Sequence, residues 1–329
     1  MTLARVLEDL PSWDHVAPRL RPRLRSDAWL DRRDLAARSR GRRVDGCQRP
    51  VAAGLLVNVV IDDETTLTNV DGRMLHRWGV TFERVMRRAL ENLADVSAEP
   101  YLGLAPGLWL APWEDGHAAA RLLCPPPRAT DLVAALPDHD ALLLADPQTP
   151  GALETLASVL EDIERTTPLT EQLFRLRRLD DGTVVTPYDP PASHPAASAL
   201  RNRRIEETVN HYGAQRRALQ QVVGDDLYVA SAKTLRDEAG DLTSFALWTE
   251  RVPTLLPEVD RVHLLETGPE GDAHRLWTTD FESLSSLPQA IVRIACPLTR
   301  WRTGRFPDAA ELRRVATPVE LDVALQSAS

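Results

Sequence analysis

Five short phrases of this chain occur twice in the same order, and that recurrence constrains the fold more than any single residue does. LPDHDALLLAD at residues 136–146 returns as LPEVDRVHLLE at 256–266. RRALEN at 87–92 returns as RRALQQ at 216–221, and LWLA at 108–111 returns as LYVA at 227–230. LETLASVLEDI at 153–163 returns as FESLSSLPQAI at 281–291, and PLT at 168–170 returns at 297–299. Ordered echoes at a spacing of roughly 120 to 130 residues are the signature of a duplicated unit. Two related units are therefore expected.

The 329 residues suffice for two domains, each with its own core. At 43% hydrophobic and 26% charged residues, the composition is that of a globular protein rather than a disordered or fibrous one. No apolar run reaches the ~20 residues of a spanning helix, and MTLARVLEDLPSW lacks a signal-peptide core, so a cytoplasmic location with no membrane association is expected. Cys47, Cys124 and Cys296 lie far apart without a CxxC pair, which points to free thiols rather than a zinc knuckle or disulfide framework. Lys233 is the single lysine among 39 basic residues, so any Schiff-base or phosphate-gripping ammonium has one candidate.

Charge is concentrated near the start. Residues 19–49 hold eleven arginines against Asp27, Asp31, Asp34 and Asp45, a balance of +7 in a chain whose total is −9. Such an arm can meet an acidic partner or nucleic acid, with Arg21, Arg23, Arg25, Arg32, Arg33, Arg40, Arg42 and Arg43 as the contact candidates. It can equally fold back on the protein's own acids. No nucleic-acid reading motif accompanies it.

Along the chain, an arginine-rich helical lead-in is expected over residues 1–50, without a counterpart in the second half. The first unit, residues 51–180, opens on the strand GLLVNVVI at 54–61 and a hairpin partner at 65–70. Helices are predicted from Thr81, with Phe82, Val85, Met86, Ala89, Leu90 and Leu93 on one stripe, and over residues 152–164. Strands are predicted at 108–112, 119–123, 132–136 and 141–145. TPYDPPASHP marks residues 181–198 as a Pro-rich linker, and the second unit occupies residues 199–329. That unit has a helix over 199–222, strands at 227–232, 244–248 and 261–266, and a last helix shortened by Pro288. Strands joined by short turns predict an α+β fold: two units, each a mainly antiparallel sheet with helices packed on one face.

In the repeated phrase a proline and an acid make a turn into a core strand, and Asp140 and Asp260 are placed to accept nearby backbone amides. His139 faces Val259 in the alignment of the two copies. A site built from His139 and Asp140 with Glu114, Asp115 and His117 is one candidate for metal or acid–base chemistry. Asp62, Asp63 and Glu64 after the strand VVI form another, superficially like the nucleophile loop of haloacid-dehalogenase-type phosphatases. Glu64 stands where that loop has its second aspartate, and Lys233 lies in the other unit, so a solvated hairpin turn explains these acids better. GxSxG, HExxH, GxxxxGK(S/T) and GxGxxG are all missing. The tryptophans, among them Trp78, Trp109, Trp113, Trp248, Trp277 and Trp301, are expected as core anchors.

VNVVIDDETTLTNVDGRMLHRWGVTFERVMRRALENL at 57–93, GLWLAPWEDGHAAARLL at 107–123 and the LPDHDALLLAD strand follow one another in a familiar order. Over residues 54–178 the chain resembles the YtpQ-like bacterial proteins, a family classed as a domain of unknown function. The resemblance implies no activity, cofactor or catalytic residue, and it does not extend to the lead-in. A non-enzymatic protein-interaction or regulatory module, with a protein partner and no cofactor, is the leading expectation. A metal-assisted hydrolase of a phosphate or ester comes second, and nucleic-acid binding through the arginine arm third.

Overall fold

After a four-residue helix, α1 (Trp13–Val16), the chain enters β1 (Leu20–Ser26), where Leu20 and Leu24 alternate with Arg21, Arg23 and Arg25. This period of two sends leucines to the core and arginines to the other face. The computed structural model describes residues 11–38, 47–63, 65–98, 100–125, 131–164, 168–179, 182–224, 226–268, 273–294, 296 and 298–319. Helix α2 (Asp27–Arg38) follows, then β2 (Gln48–Ala52), β3 (Leu55–Asp63) and β4 (Thr66–Asn69). Strand β3 is the centre of the first sheet, antiparallel to β1, β2 and β4. The helical lead-in expected over residues 1–50 thus contains a strand, because alternating Leu/Arg fits a pleat rather than a helical stripe.

Asp71 caps α3 (Gly72–Trp78) by accepting the Met74 amide at 3.0 Å, and Gly79 ends it in the left-handed region. Thr81 caps α4 (Phe82–Asp95), which buries Val85, Met86, Ala89 and Leu93 on the first sheet. A second sheet is built from β5 (Leu102–Ala105), β6 (Leu108–Leu110), β7 (Asp131–Asp138), β8 (Ala141–Ala145), then β9 (Leu173–Leu179) and β10 (Gly182–Tyr188). Its order is β10-β9-β7-β8-β6-β5, antiparallel throughout. Helix α5 (Ala152–Asp162) covers one face of it.

Strand β8 is buried from Leu142 to Ala145. Leu142 and Leu144 join Leu24, Val57, Val59 and Met86 in one core, while Leu143 and Ala145 join Leu153, Leu156 and Leu160 in another. Burial on both faces requires the continuous apolar run ALLLA. Residues 119–123, expected as a strand, form a 3-10 turn instead. The stretch expected to be a linker begins as β10, whose Val184 and Thr186 pair with Arg177 and Arg175.

The second unit contains most of α6 (Ala197–Val223), then β11 (Tyr228–Val229), β12 (Lys233–Arg236), β13 (Leu242–Thr249), β14 (Thr254–Pro257), β15 (Arg261–Thr267) and β16 (Ala273–Asp280). Helix α7 (Phe281–Ser285), β17 (Ile291–Ile294), β18 (Arg300–Thr303), α8 (Ala309–Val315) and β19 (Thr317–Val319) complete it. Its two sheets run β11-β14-β18-β17 and β12-β13-β15-β16-β19, with parallel pairs only at β11/β14 and β13/β15 among the described strands. The fold is α+β. One compact unit takes residues 1–27 and 44–200, the other residues 28–43 and 201–329, so the lead-in is divided between them.

Asp31, from that divided segment, is 2% exposed in the second unit and accepts from Gln215 Nε2 at 3.2 Å. Gln215 Oε1 in turn accepts from Arg300 Nε at 2.7 Å. Arg300 is 1% exposed and also donates to the carbonyls of Ala230, Leu255 and Tyr212. Burial pulls its guanidinium down to about 10 and pushes the Asp31 carboxyl up. No helix among the described residues is long and apolar enough to cross a membrane.

Candidate functional site

Four of the residues nominated by sequence meet in the first unit. Asp62 lies near the end of β3, His117 on the loop after β6, and His139 and Asp140 on the β7–β8 turn. His117 Nε2 lies 3.0 Å from Asp62 Oδ2, and the ring is only 2% exposed. The loop that presents it is set by Asp115, which accepts the His117 amide at 3.0 Å, and by Gly116 at φ 74°. Only glycine adopts that left-handed conformation without strain.

Asp115 is itself clamped by the fork of Arg121, whose Nη1 and Nη2 reach its two oxygens at 2.9 and 2.8 Å. Arg121 is 1% exposed, stacks over Trp113 at 4.1 Å and donates to Ser97 Oγ. The guanidinium holds the Asp115 carboxyl below its ordinary range, against the opposing effect of burial. Sequence reasoning passed over Arg121, although an arginine amid the apolar run AAARLL is a signal of a buried cation with a dedicated acid.

Strand β1 supplies the cations. Arg23 Nη1 donates to the Gly116 carbonyl at 3.2 Å, and burial lowers its pKa while Asp140, Asp62 and Asp138 raise it. Arg25 Nη1 donates to His139 Nε2 at 3.3 Å, which requires that nitrogen to carry the lone pair. Burial, reinforced by Arg23 and Arg25, pulls the His139 imidazole down to about 3, so it is neutral near pH 7. His117 is lowered by burial as well, partly offset by Asp62. The β7–β8 turn is closed by Asp138, 3% exposed, which accepts the Asp140 amide at 3.2 Å. Asp138 performs the turn role that the sequence assigned to Asp140, and Asp140 stays exposed.

The remaining candidates go elsewhere. Asp63 turns to the opposite face of β3 and pairs with Arg19. Glu114 is exposed and takes no part in these contacts. Glu64, Arg40, Arg42 and Arg43 lie outside the described residues. Arg21 donates to the carbonyls of Pro18 and Leu20, Arg32 is exposed, and Arg33 stacks on Trp29 at 4.8 Å.

Chemically, the cluster is a set of charges facing one another. Arg23 feels the charges of Asp140, Asp62 and Asp138, and His139 gives its lone pair to Arg25. Among the described residues no group of three or more His, Cys, Asp or Glu side chains is arranged to hold a metal ion. Arg23 Nε, Asn58 Oδ1 and His117 Nδ1 are buried without a hydrogen-bond partner from the protein. All three belong to side chains at most 9% exposed, so they lie in the interior rather than at the surface. Against this geometry, no protein-family profile, no curated protein and no solved structure matches the chain.

Proposed function

We propose that this chain is a non-enzymatic protein-interaction or regulatory module of the cytoplasm, and that it accepts an extended segment of a protein partner at the free edge of the six-stranded sheet. The observation that carries the reading is β5. It ends the sheet among the described strands, its LGLA sequence has no charge or proline, and it exposes Leu102 by 52% and Leu104 by 44%. A register shift between Gly103 and Ala105 leaves Leu104 unmatched on β6, and such a bulge re-aims a side chain. Sheet edges are ordinarily blunted with charge or proline, as Pro187 does on β10 at the other end. An apolar edge left open is suited to strand addition, where backbone hydrogen bonds supply affinity and alternate side chains supply selectivity.

The inward-facing Asp–His–Arg cluster supports binding rather than catalysis, since His139 has no lone pair to offer and His117 is sealed. The resemblance of residues 54–178 to the YtpQ-like proteins, and a common origin for the two units, belong to the same proposal. Neither brings a reaction with it.

A photo-crosslinking residue at position 104, in cells that make the protein natively, is the test. A discrete protein adduct absent from the same probe at Thr183 is expected, and adding Leu102→Lys removes it. No adduct above the Thr183 control, or one indifferent to Leu102→Lys, overturns the reading.

A further inference from the structure

The face of the six-stranded sheet that α5 covers is covered over only part of its length. Leu173 and Tyr188, a cross-strand pair of β9 and β10, pack into the α5 core. Side chains alternate along a strand, so Arg175 and Arg177 share the face of Leu173. Their partners Thr186 and Val184 share it too. Beyond the end of α5 this face opens into a cleft of about 570 Å³, within the size range of small-molecule sites.

The cleft has two walls of different character. Leu153, Pro147, Pro187, Pro191 and the Tyr188 ring give an apolar, rigid side. Arg175 and Arg177 give the polar one. Arg175 is fixed by Asp131, which receives its Nε and Nη2 at 2.7 and 2.6 Å, and it lies 6.0 Å from the Tyr188 ring centre. The same carboxylate stands 3.9 Å from Arg177 Nε, whose side chain is 58% exposed. Asp131 is already taken by the Arg175 fork and reaches Arg177 only at 3.9 Å, so the Arg177 guanidinium keeps donors for a ligand in the cleft. Asp189, the acid of the lining, is engaged within the chain, and His194 stands 3.9 Å from Glu154.

We infer that this cleft binds a small carboxylic acid with a ring or comparably flat apolar body, its carboxylate on Arg177 and its body against Tyr188 and the prolines. A planar guanidinium matches a carboxylate in two parallel hydrogen bonds, and the negative Asp189 in the lining disfavours a phosphate dianion more than a carboxylate monoanion. The three prolines reduce the entropy lost when a ligand orders the wall. This site is independent of the β5 edge and of the Asp–His–Arg cluster.

The experiment is calorimetric or NMR titration of the full chain with benzoate, benzamide and phenyl phosphate. A nine-atom probe held with ordinary efficiency is expected to saturate with a Kd of about 1 to 10 mM. Benzamide, isosteric but uncharged, is expected to bind at least about tenfold more weakly, and phenyl phosphate more weakly than benzoate. Arg177→Gln, on an exposed position that leaves circular dichroism unchanged, is expected to weaken benzoate by about tenfold as well. Absence of saturation by benzoate, equal binding of benzamide, or benzoate affinity untouched by Arg177→Gln overturns the inference. Phenyl phosphate binding more tightly than benzoate overturns the choice of a carboxylate ligand.

Discussion

The turn between β7 and β8 and the turn between β14 and β15 are written in nearly the same letters, yet they do different structural work. In the first, LPDHDALLLAD closes a hairpin in one sheet, with Ala135 opposite Leu143 and Asp138 opposite Ala141. In the second, LPEVDRVHLLE sends β14 and β15 into two different sheets, the first paired with β11 and β18, the second with β13 and β16. The local conformation is shared: strand, turn, strand. Pairing is not shared, because pairing is decided by what covers each face. Burial follows the same rule. Leu136 and Leu256 are fully buried, and His139 and Val259 are equally buried at 7%. The position after the acid is therefore an interior one in both turns. Only the first turn fills it with an imidazole, and there Arg25 donates to it.

The widest separation between the two turns is expected in acid. His139 has its folded pKa near 3 against an ordinary value of 6.5. The unfolded chain therefore takes up a proton below about pH 6.5 that the folded chain refuses until about pH 3, and stability falls across that window. The loss approaches about 5 kcal/mol at its acid end. His139→Val, which installs the residue of the other turn, is expected to cost about 1 to 3 kcal/mol near pH 7 by removing the acceptor of Arg25. It also removes the acid-dependent loss, so the difference between variant and wild type shrinks and then reverses as pH drops. Denaturant titrations from pH 7 to pH 4 check this. A difference that is constant with pH would mean that His139 titrates normally.

Much of this was legible in the letters. ALLLA announces a strand covered on both faces, and VERY similar reasoning places α4 and α5 from their apolar stripes. Asp62, His117, His139 and Asp140 could be nominated because each is a polar residue beside an apolar run. The letters group His117 with His139 and Asp140 but leave Asp62 apart, since 55 residues separate Asp62 from His117 and the pairing is tertiary. The cations are legible too, as an arm that meets a partner or folds back on the protein's own acids, but the acids it meets are not. Placing Arg23 and Arg25 on one face of a strand required reading LRPRLRS with a period of two and knowing that acids from β3 and from the β7–β8 turn would surround Arg23. The ligand cleft was invisible for a different reason: Arg175 and Arg177 look like ordinary edge charges until the end of α5 is known.

A middle-sized effect separates the strands that follow the turns. Leu143 is fully buried in the α5 core, whereas its counterpart by sequence, His263, is half-buried and stacks edge-on against Phe245 at 5.0 Å. Leu143→Ala is expected to cost about 2 to 5 kcal/mol, the range for a leucine lost from a close-packed core. His263→Ala is expected to cost about 1 kcal/mol, the value of one aromatic contact. Chemical denaturation of both variants at neutral pH measures the gap. Equal costs would mean that β15 is as enclosed as β8, and the contrast between one covered face and two would fail.

The smallest effect concerns the aspartate that both phrases retain. Asp260 Oδ2 accepts the Ser244 amide and hydroxyl at 2.7 Å each, and its own amide donates back to Ser244 Oγ at 2.9 Å. Ser244 is 6% exposed on β13, so this aspartate ties its turn to a neighbouring strand. Asp140 is exposed, and Asp138 closes the turn in its place. Asp260→Ala is thus expected to cost about 1 to 3 kcal/mol by stranding a buried amide. Asp140→Ala is expected to stay within about 0.5 kcal/mol. Asp260→Asn keeps one acceptor and should recover part of the loss, which distinguishes the hydrogen bond from the charge shared with Arg201 at 3.3 Å. If Asp140→Ala proves the costlier of the two, the retained letter has its structural use in the first turn, and the assignment of Asp138 as the residue that closes it is wrong.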